Sequence, residues 1–424
     1  MTRPLIARAQ GGPRVALVAA AANRGGAHIA ALRLHRGLLD VGADSRFVAG
    51  VMEAGVEDAG PPSSRWHRYL WKVRCRVGRG LAASFAPHSE GMQSLNVLPS
   101  AFAHRLHDRA LELVHLHWVN NELLSIEQIG RIRHPMAWTL HDMWAFCGSE
   151  HYLADPSAYL GPPGTVPSSG PSRAARWTWN RKRRAWAGLK PIIVAPSRWL
   201  GDLAAKSRLL GHLPVEVVPY GLDLHCFRPL KSPTSGRPRP TRIVFGAAGG
   251  TADPRKGFDL FAAAIGRFAS TSQSRPCELV FFGAAEGPKI DHVGSMSIRS
   301  TGIIGSDTEM AKLLADADVF VATSRLDNLP NTVMEATACG VPTVAFNIGG
   351  MPDMIDHQTT GYLARAFDVN DLADGLSWVL ADESRLSALK TAARMKAERD
   401  FGSDLQAERM LAIYERAIRS PAGS

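Results

Sequence analysis

ATSRLDNLPNTVMEATACGVPTVAFNIGG, residues 322–350, is the stretch on which the fold is read. An apolar run ends near Ser324, a polar loop follows, and a helix is expected to begin between Asn328 and Asn331. Asn328 can cap such a helix, Pro330 suits its first turn, and Gly340 suits its stop. A helix start offers backbone amides and a positive dipole end to an anion, and a diphosphate is the natural guest. Asp327 stands just before those amides, and Glu335 follows eight residues later. Carboxylates accept hydrogen bonds from sugar hydroxyls, which a phosphate site alone does not need. The pair therefore suggests a ligand with both phosphate and polyol parts. The plainer alternative is that Asp327 caps the helix and Glu335 makes a surface salt bridge.

The same rhythm of apolar run, turn and amphipathic stretch recurs along the chain. Residues 14–22, 242–247, 278–283, 317–324 and 342–346 read as short strands between helical segments. This alternation argues for βαβ units and parallel sheets, an α/β fold. Such sheets bind ligands beyond the carboxyl ends of their strands. The stretch RPLKSPTSGRPRP, residues 228–240, lacks periodicity and is rich in Pro, Ser and basic residues, so it reads as a linker. The expected organisation is a first domain over 1–228, a linker over 229–240, a second domain over 241–400 and a terminal helix over 401–424. Residues 153–172, rich in Pro, Gly and Ser, read as an exposed loop of the first domain. Residues 385–418 are helical in pattern.

A length of 424 residues fits two domains of about 200 residues each. Apolar residues make up 45% and charged residues 21%, as in ordinary globular proteins. The five cysteines are scattered without CxxC spacing, so neither a disulfide framework nor a zinc site is expected. The N-terminus lacks the apolar core of a signal peptide, and no window is long and apolar enough to span a bilayer. The expected location is the cytoplasm, with peripheral attachment to the inner membrane face as a variant of it. A formal charge of +10 favours anionic partners without choosing among nucleotides, phospholipids and nucleic acid.

Three further stretches can carry chemistry. In FGAAGGTADPRKGFDL, residues 245–260, a strand ends in Gly249-Gly250, and Arg255-Lys256 precedes Gly257 and a helix. A lysine there can neutralise a leaving diphosphate, and a flexible loop with solvated charges is the alternative. In ANRGGAHIAALRLHRGL, residues 22–38, Gly25-Gly26 precedes a helix without the GxGxxG fingerprint of NAD binding. In WTLHDMWAFCGSEHY, residues 138–152, His141 and Asp142 follow a strand over 136–140. His141 can exchange hydrogen bonds with a sugar hydroxyl and Asp142 can orient it; a structural histidine among aromatics is the alternative. The upstream VHLHW, residues 114–118, reads as a buried strand with structural histidines.

Two stretches mix basic and aromatic residues. Between Arg65 and Arg79 there are six Arg or Lys and no acid, with Arg65, Arg68, Lys72, Arg76 and Arg79 on one helical face. From Arg173 to Lys190, RAARWTWNRKRRAWAGLK holds seven basic residues, three Trp and no acid. Both suit a helix on an anionic membrane surface, and a solvated or core-facing helix is the alternative. Nucleic acid is not an expected partner, because the second half of the chain lacks this charge bias.

Taken in order, these motifs resemble the retaining GT-B glycosyltransferases of glycosyltransferase family 4. The resemblance rests on DNLPNTVMEATACGVPTVA (327–345), VAPSRWL (194–200), VPYGLDLHCFRP (218–229), DPRKGFDL (253–260) and GGMPDMI (349–355). The stretches around Gly25-Gly26 and His141 resemble a bacterial subgroup that builds exopolysaccharides and O-antigens, the lipopolysaccharide side chains. The resemblance implies two Rossmann-like domains facing each other across a cleft, a second domain that holds a nucleotide sugar and a first that receives a lipid-linked glycan acceptor. It implies retaining hexosyl transfer without a metal ion or other cofactor. It maps Lys256 to the donor diphosphate, Glu335 to the ribose hydroxyls and Asp327 to the transferred sugar. The backbone of Asn328, Leu329, Pro330, Asn331 and Thr332 would hold sugar and phosphate. His141 maps near the transferred sugar, and Gly25-Gly26 would let the donor phosphate approach.

Three departures from the family pattern stand out. Asp327 replaces the first Glu of Glu-x7-Glu, one methylene shorter. Gly249-Gly250 stands where the family has an Arg beside the Lys, and Arg255 is nearby but out of register. The loop at Glu150-His151 lacks the cysteines common in the bacterial subgroup. Rival readings are a GT-B epimerase or phosphorylase, a non-catalytic binder of nucleotide sugars or glycans, and an NAD oxidoreductase.

Overall fold

β-Branched and aromatic residues in short runs favour strands, and the amphipathic stretches between them cover the sheet faces as helices. The computed structural model describes residues 12–21, 25–52, 63–85, 91–167, 171–230, 239–246, 253–271, 276–283 and 292–419. The chain forms two units, one of Met1–Gly221 with Asp404–Ser424, the other of Leu222–Ser403.

In the first unit the strands are β1 (Val15–Ala21), β2 (Ser45–Val51), β3 (Leu113–Leu116), β4 (Met136–Thr139), β5 (Ile192–Ala195) and β6 (Val215–Val217). They pair in the order β2-β1-β3-β4-β5-β6, all parallel. The helices are α1 (Gly26–Asp40), α2 (Arg65–Phe85), α3 (Ile126–Ile129), α4 (Arg173–Ala185) and α5 (Arg198–Ala205). Strand order reverses between β1 and β3, which makes their carboxyl ends the switch point where such sheets bind ligands.

The second unit contains β7 (Thr241–Gly246), β8 (Cys277–Phe282), β9 (His292–Val293), β10 (Met296–Ser300), β11 (Val319–Ala322), β12 (Thr343–Phe346) and β13 (Gly361–Ala364). Their order is β13-β12-β11-β7-β8-β10-β9, parallel except for β9 against β10. Here the order reverses between β7 and β11. Its helices are α6 (Phe258–Thr271), α7 (Asp307–Ala315), α8 (Asn331–Ala338), α9 (Met351–Met354), α10 (Val369–Leu380) and α11 (Glu383–Asp400); the last helix of the chain is α12 (Ser403–Arg419). Phe245, Phe261, Phe281, Val321, Phe346 and Leu376 belong to the apolar core of this unit.

The helical pattern of residues 385–418 resolves into α11 and α12, broken at Phe401-Gly402. Residues of α12 from Asp404 onward belong to the first unit, where Met410, Ile413 and Tyr414 share a core with Leu17, Leu34 and Val194. Residues 222–230 belong to the second unit, held by Arg394 of α11, which donates to the carbonyls of Phe227 (2.7 Å) and Leu224 (3.2 Å). Most of the expected linker, residues 231–238, lies outside the described residues. The stretch 153–172, read as an exposed loop, is anchored by buried Tyr159, whose hydroxyl donates to Glu150. Among the described residues no helix is long and apolar enough to cross a membrane.

Candidate active site

At the switch point of the second unit, the loop after β7 meets the loop after β11. Gly257 makes the meeting possible: its φ is +67°, and a Cβ there would lie 2.1 Å from the Thr323 carbonyl oxygen. Thr323 Oγ1 donates back to the carbonyls of Lys256 (3.0 Å) and Gly257 (2.8 Å). The amide of Arg325 donates to the carbonyl of Arg255 at 2.7 Å. These ties bring Lys256 Nζ to 2.6 Å from Asp327 Oδ2. Arg255 Nη1 lies 3.3 Å from the same oxygen, Ser324 Oγ donates to it at 3.2 Å, and the Asn328 amide donates to Oδ1 at 3.1 Å.

Asp327 is only 6% exposed. Burial pushes its carboxyl pKa up, but the neighbouring Lys256 and Arg255 outweigh burial and hold it below the ordinary value. Its backbone is fixed as well. Gly349, at φ +52°, lets the chain pass where a Cβ would stand 2.1 Å from the Asp327 carbonyl oxygen, and the Gly350 amide donates to that oxygen at 3.1 Å.

Helix α8 starts at Asn331, inside the expected interval, but Asn328 does not cap it. The cap residue is Pro330 in extended conformation, which has no side-chain acceptor. The reason is local: the Asn328 amide is drawn to the Asp327 carboxylate, and two further residues pass before the chain turns helical. A small pocket at this helix start is lined by Gly246, Lys256, Thr323, Ser324, Pro330 and Thr332. Gly340 ends the helix at φ +72°; its amide donates to Thr337 and that of Val341 to Ala336. Asn328, Leu329 and Pro330 are buried, Asn331 and Thr332 half-buried. Glu335 is 4% exposed on α8. The plainer alternative therefore fails in both parts: Asp327 pairs with Lys256 rather than capping, and Glu335 is not on the surface. Ala247–Ala252, and with them Gly249-Gly250, lie outside the described residues.

The first unit gathers a different set at the carboxyl ends of β1, β3 and β4. Gly25 is the cap residue of α1 and Gly26 its first residue, both exposed. His28, one turn on, meets Trp118 edge to face at 5.3 Å. His141 Nε2 lies 3.1 Å from His117 Nδ1, and His141 Nδ1 lies 2.7 Å from the Tyr220 hydroxyl. His115, on the same face of β3 two residues before His117, bonds Thr139 Oγ1 and the Tyr414 hydroxyl, both at 2.8 Å. Burial, then the neighbouring histidines, hold the His117 and His141 pKa values well below the ordinary one, and His115 falls to about 3. All three rings are therefore neutral near pH 7.

Asp142 does not bond His141. It accepts from Trp118 Nε1 (2.9 Å) and the Trp144 amide (2.9 Å), and its Oδ2 lies 2.6 Å from His151 Nδ1. The orienting partners of His141 are His117 and Tyr220. The alternation of His115 and His117 on one strand face was the available signal for the first; Tyr220 was visible within VPYGLDL.

The stretch from Arg173 to Lys190 is divided between core and solvent, with Arg173, Arg176, Trp177, Arg184 and Lys190 exposed. Trp179 and Trp186 are buried, and Lys182 is buried with Nζ donating to the carbonyls of Trp144, Cys147 (3.2 Å) and Gly148 (2.7 Å). Arg181 forks onto Glu127 at 2.8 and 2.7 Å.

Residues 242–382, which include the Lys256–Asp327 cluster, match the family described as glycosyl transferases group 1. The chain is 29% identical to the D-inositol 3-phosphate glycosyltransferase of Segniliparus rotundus, over 49% of this chain and 48% of that protein. It is 25% identical to the lipopolysaccharide core biosynthesis mannosyltransferase LpsB of Rhizobium meliloti, over 51% and 66%. The match spans about half of the first of these relatives and about two thirds of the second. Among solved structures it is similar to sucrose-phosphate synthase from Thermosynechococcus elongatus, with TM-score 0.62, 16% identity and 96% and 99% of the two chains covered. It is also similar to Anabaena HepE in complex with UDP-glucose, with TM-score 0.60, 14% identity and 94% and 99% covered. With its two Rossmann-like α/β units the chain has the GT-B fold, and its second unit carries the region that matches the glycosyl transferases group 1.

Proposed function

We propose that this chain is a retaining, metal-independent glycosyltransferase of family 4. It would move a hexose from a nucleotide-diphosphate sugar to a glycan acceptor, lipid-linked, in the synthesis of bacterial surface polysaccharide. The observation that carries the reading is the Lys256–Asp327 pair at the switch point of the second unit, beside the uncapped start of α8. A cation and helix amides at one pocket suit a departing diphosphate, and a buried ionised carboxylate next to them suits sugar hydroxyls. The names of the relatives, an inositol-phosphate glycosyltransferase and a lipopolysaccharide mannosyltransferase, support sugar transfer to an acceptor of this general kind.

In this reading the donor binds the second unit and the acceptor the first. As the diphosphate arrives, Lys256 turns from Asp327 to the phosphates, and Arg255 and Ser324 keep Asp327 ionised. Glu335 accepts from the ribose hydroxyls. His141, neutral and oriented by Tyr220 and His117, exchanges a hydrogen bond with a sugar hydroxyl. The leaving phosphate takes the acceptor proton, so the carbon–oxygen bond to the donor breaks on the face where the new one forms. The enzyme would work at the inner face of the membrane. Proton NMR of the product of a natural α-linked donor tests the mechanism: the account expects an α-glycoside, and a β-glycoside overturns retention.

A second reading, a non-catalytic nucleotide-sugar or glycan binder, draws on one observation. Lys256 and Asp327 satisfy each other without a ligand. Donor hydrolysis or transfer by the purified chain removes it.

A further inference from the structure

Helix α2 has three faces rather than two. One packs inward: Gly78 and Ala82 are buried, a Cβ on Gly78 would lie 2.5 Å from Glu122 Cγ, and Arg74 donates to the Glu122 and Leu98 carbonyls at 2.7 and 2.6 Å. A second carries Arg65, Arg68, Lys72, Arg76 and Arg79. The third carries Trp66, Tyr69, Leu70, Val73 and Val77, spaced i, i+3, i+4, i+7 and i+11, and exposed by 67, 55, 47, 37 and 46%. An apolar stripe of this kind on a helix whose inward face is already packed has no partner among the described residues of its unit. No acidic residue occurs anywhere on α2.

We infer that α2 is a membrane-docking element, and that it seats its Trp66-to-Val77 stripe into the headgroup boundary of an anionic bilayer while the adjacent cations hold lipid phosphates. The inference deepens the lipid-linked acceptor reading above but rests on α2 alone. The chemistry chooses the occupant. Tyr and Trp at one end of an apolar stripe, ring centroids 5.6 Å apart, match the amphipathic side chains of membrane interfaces. A row of five cations beside the stripe matches an anionic leaflet. A second copy of the chain would set two such rows side by side and repel. Nucleic acid would use the cations but leave Leu70, Val73 and Val77 without a role. Helix α4 adds less to this surface, because its Trp179 and Lys182 are buried; its exposed Trp177 stacks on Phe85 at the end of α2.

The test is co-sedimentation of the full chain with vesicles of phosphatidylcholine containing 30 mol% (roughly one lipid in three) phosphatidylglycerol, against pure phosphatidylcholine vesicles. Two variants change only solvent-facing side chains: Trp66→Ser with Tyr69→Ser and Leu70→Ser, and Arg65→Gln with Lys72→Gln and Arg76→Gln. Wild type is expected on the anionic vesicles. The charge variant should lose binding by on the order of 100-fold. The apolar variant should lose it by at least tenfold, with unchanged melting temperatures in both. Equal binding to both vesicle types, or no loss in either variant, overturns the inference. A concentration-dependent dimer that the apolar variant abolishes, without vesicle binding, assigns the stripe to a second copy and overturns it too. Donor hydrolysis, measured on the same preparations with a soluble acceptor, reads the transferase proposal separately. Hydrolysis without vesicle binding defeats only this inference, and vesicle binding without hydrolysis defeats only the transferase reading.

Discussion

At the end of β11 a buried carboxylate stays ionised because two cations stand beside it; at the end of β4 a buried histidine stays neutral because burial and a second histidine oppose its charge. Both clusters occupy carboxyl strand ends next to a switch point, and both are tied by hydrogen bonds to a neighbouring loop. They differ in what they keep available. The Lys256–Asp327 cluster keeps separated charge in a half-buried place, where charge interactions are stronger than in water. The His117–His141–Tyr220 cluster keeps dipoles only. A cation such as Lys256 suits a phosphate, whereas a sugar hydroxyl can be met either by a carboxylate such as Asp327 or by a neutral ring such as His141.

The contrast breaks most directly at Lys256. Lys256→Ala should lower turnover by roughly a thousandfold, the scale of losing one preorganised charge partner. Its melting temperature should move little, because Arg255 and Ser324 remain on Asp327. A variant within tenfold of wild type in a transfer assay would refute the electrostatic role. Glu335→Ala should weaken nucleotide affinity by about tenfold or more, the scale of a hydrogen bond to a charged group; calorimetry with the nucleoside diphosphate reads this, and an unchanged affinity contradicts the ribose role.

On the neutral side, His141 in the folded protein should not take up a proton as the pH falls through the ordinary histidine value. Below its ordinary value of 6.5 the unfolded chain accepts a proton that folded His141 refuses. Stability should therefore fall as the pH drops through that value, and His141→Gln should flatten the fall. Ring chemical shifts that titrate near 6.5 would show the ring charged and end the contrast. The same logic applies to Lys182, whose pKa burial lowers to about 7. Between that value and the ordinary lysine range the unfolded chain binds the extra proton, so stability should rise with pH. The limit is about 1.4 kcal/mol per pH unit. Denaturant melts of Lys182→Met should lack that slope; a parallel slope in the variant contradicts it.

Much of this was legible before the structure. The strands read over 242–247, 317–324 and 342–346 end in the structure at Gly246, Ala322 and Phe346, and the helix stop at Gly340 followed from its residue type. The pairing of Lys256 with Asp327 was not legible, because the two are separated by 71 residues and meet only through parallel pairing of β7 and β11. Local pattern also misassigned the cap: Asn328 has the right side chain, but the Asp327 carboxylate takes its amide and Pro330 takes the cap position. Asp142 was read as the orienter of His141 from adjacency, whereas adjacent residues at a strand end point apart, and His117 from the next strand points the right way. The basic-aromatic stretches looked alike in composition. Only packing separates Trp179 of α4 and the following Trp186, which enter the core, from Trp177 and the apolar stripe of α2, which do not.

The account's central claim is that a nucleotide sugar lays its diphosphate against Lys256 at the start of α8. A thermal-shift screen of UDP-, GDP-, dTDP- and ADP-sugars on the wild-type chain and on Lys256→Ala tests it, because a ligand that binds the folded state raises the melting temperature. The account predicts that one nucleotide class stabilises the wild type and that the variant loses most of that shift. Equal shifts in both proteins, or none in the wild type, would contradict it.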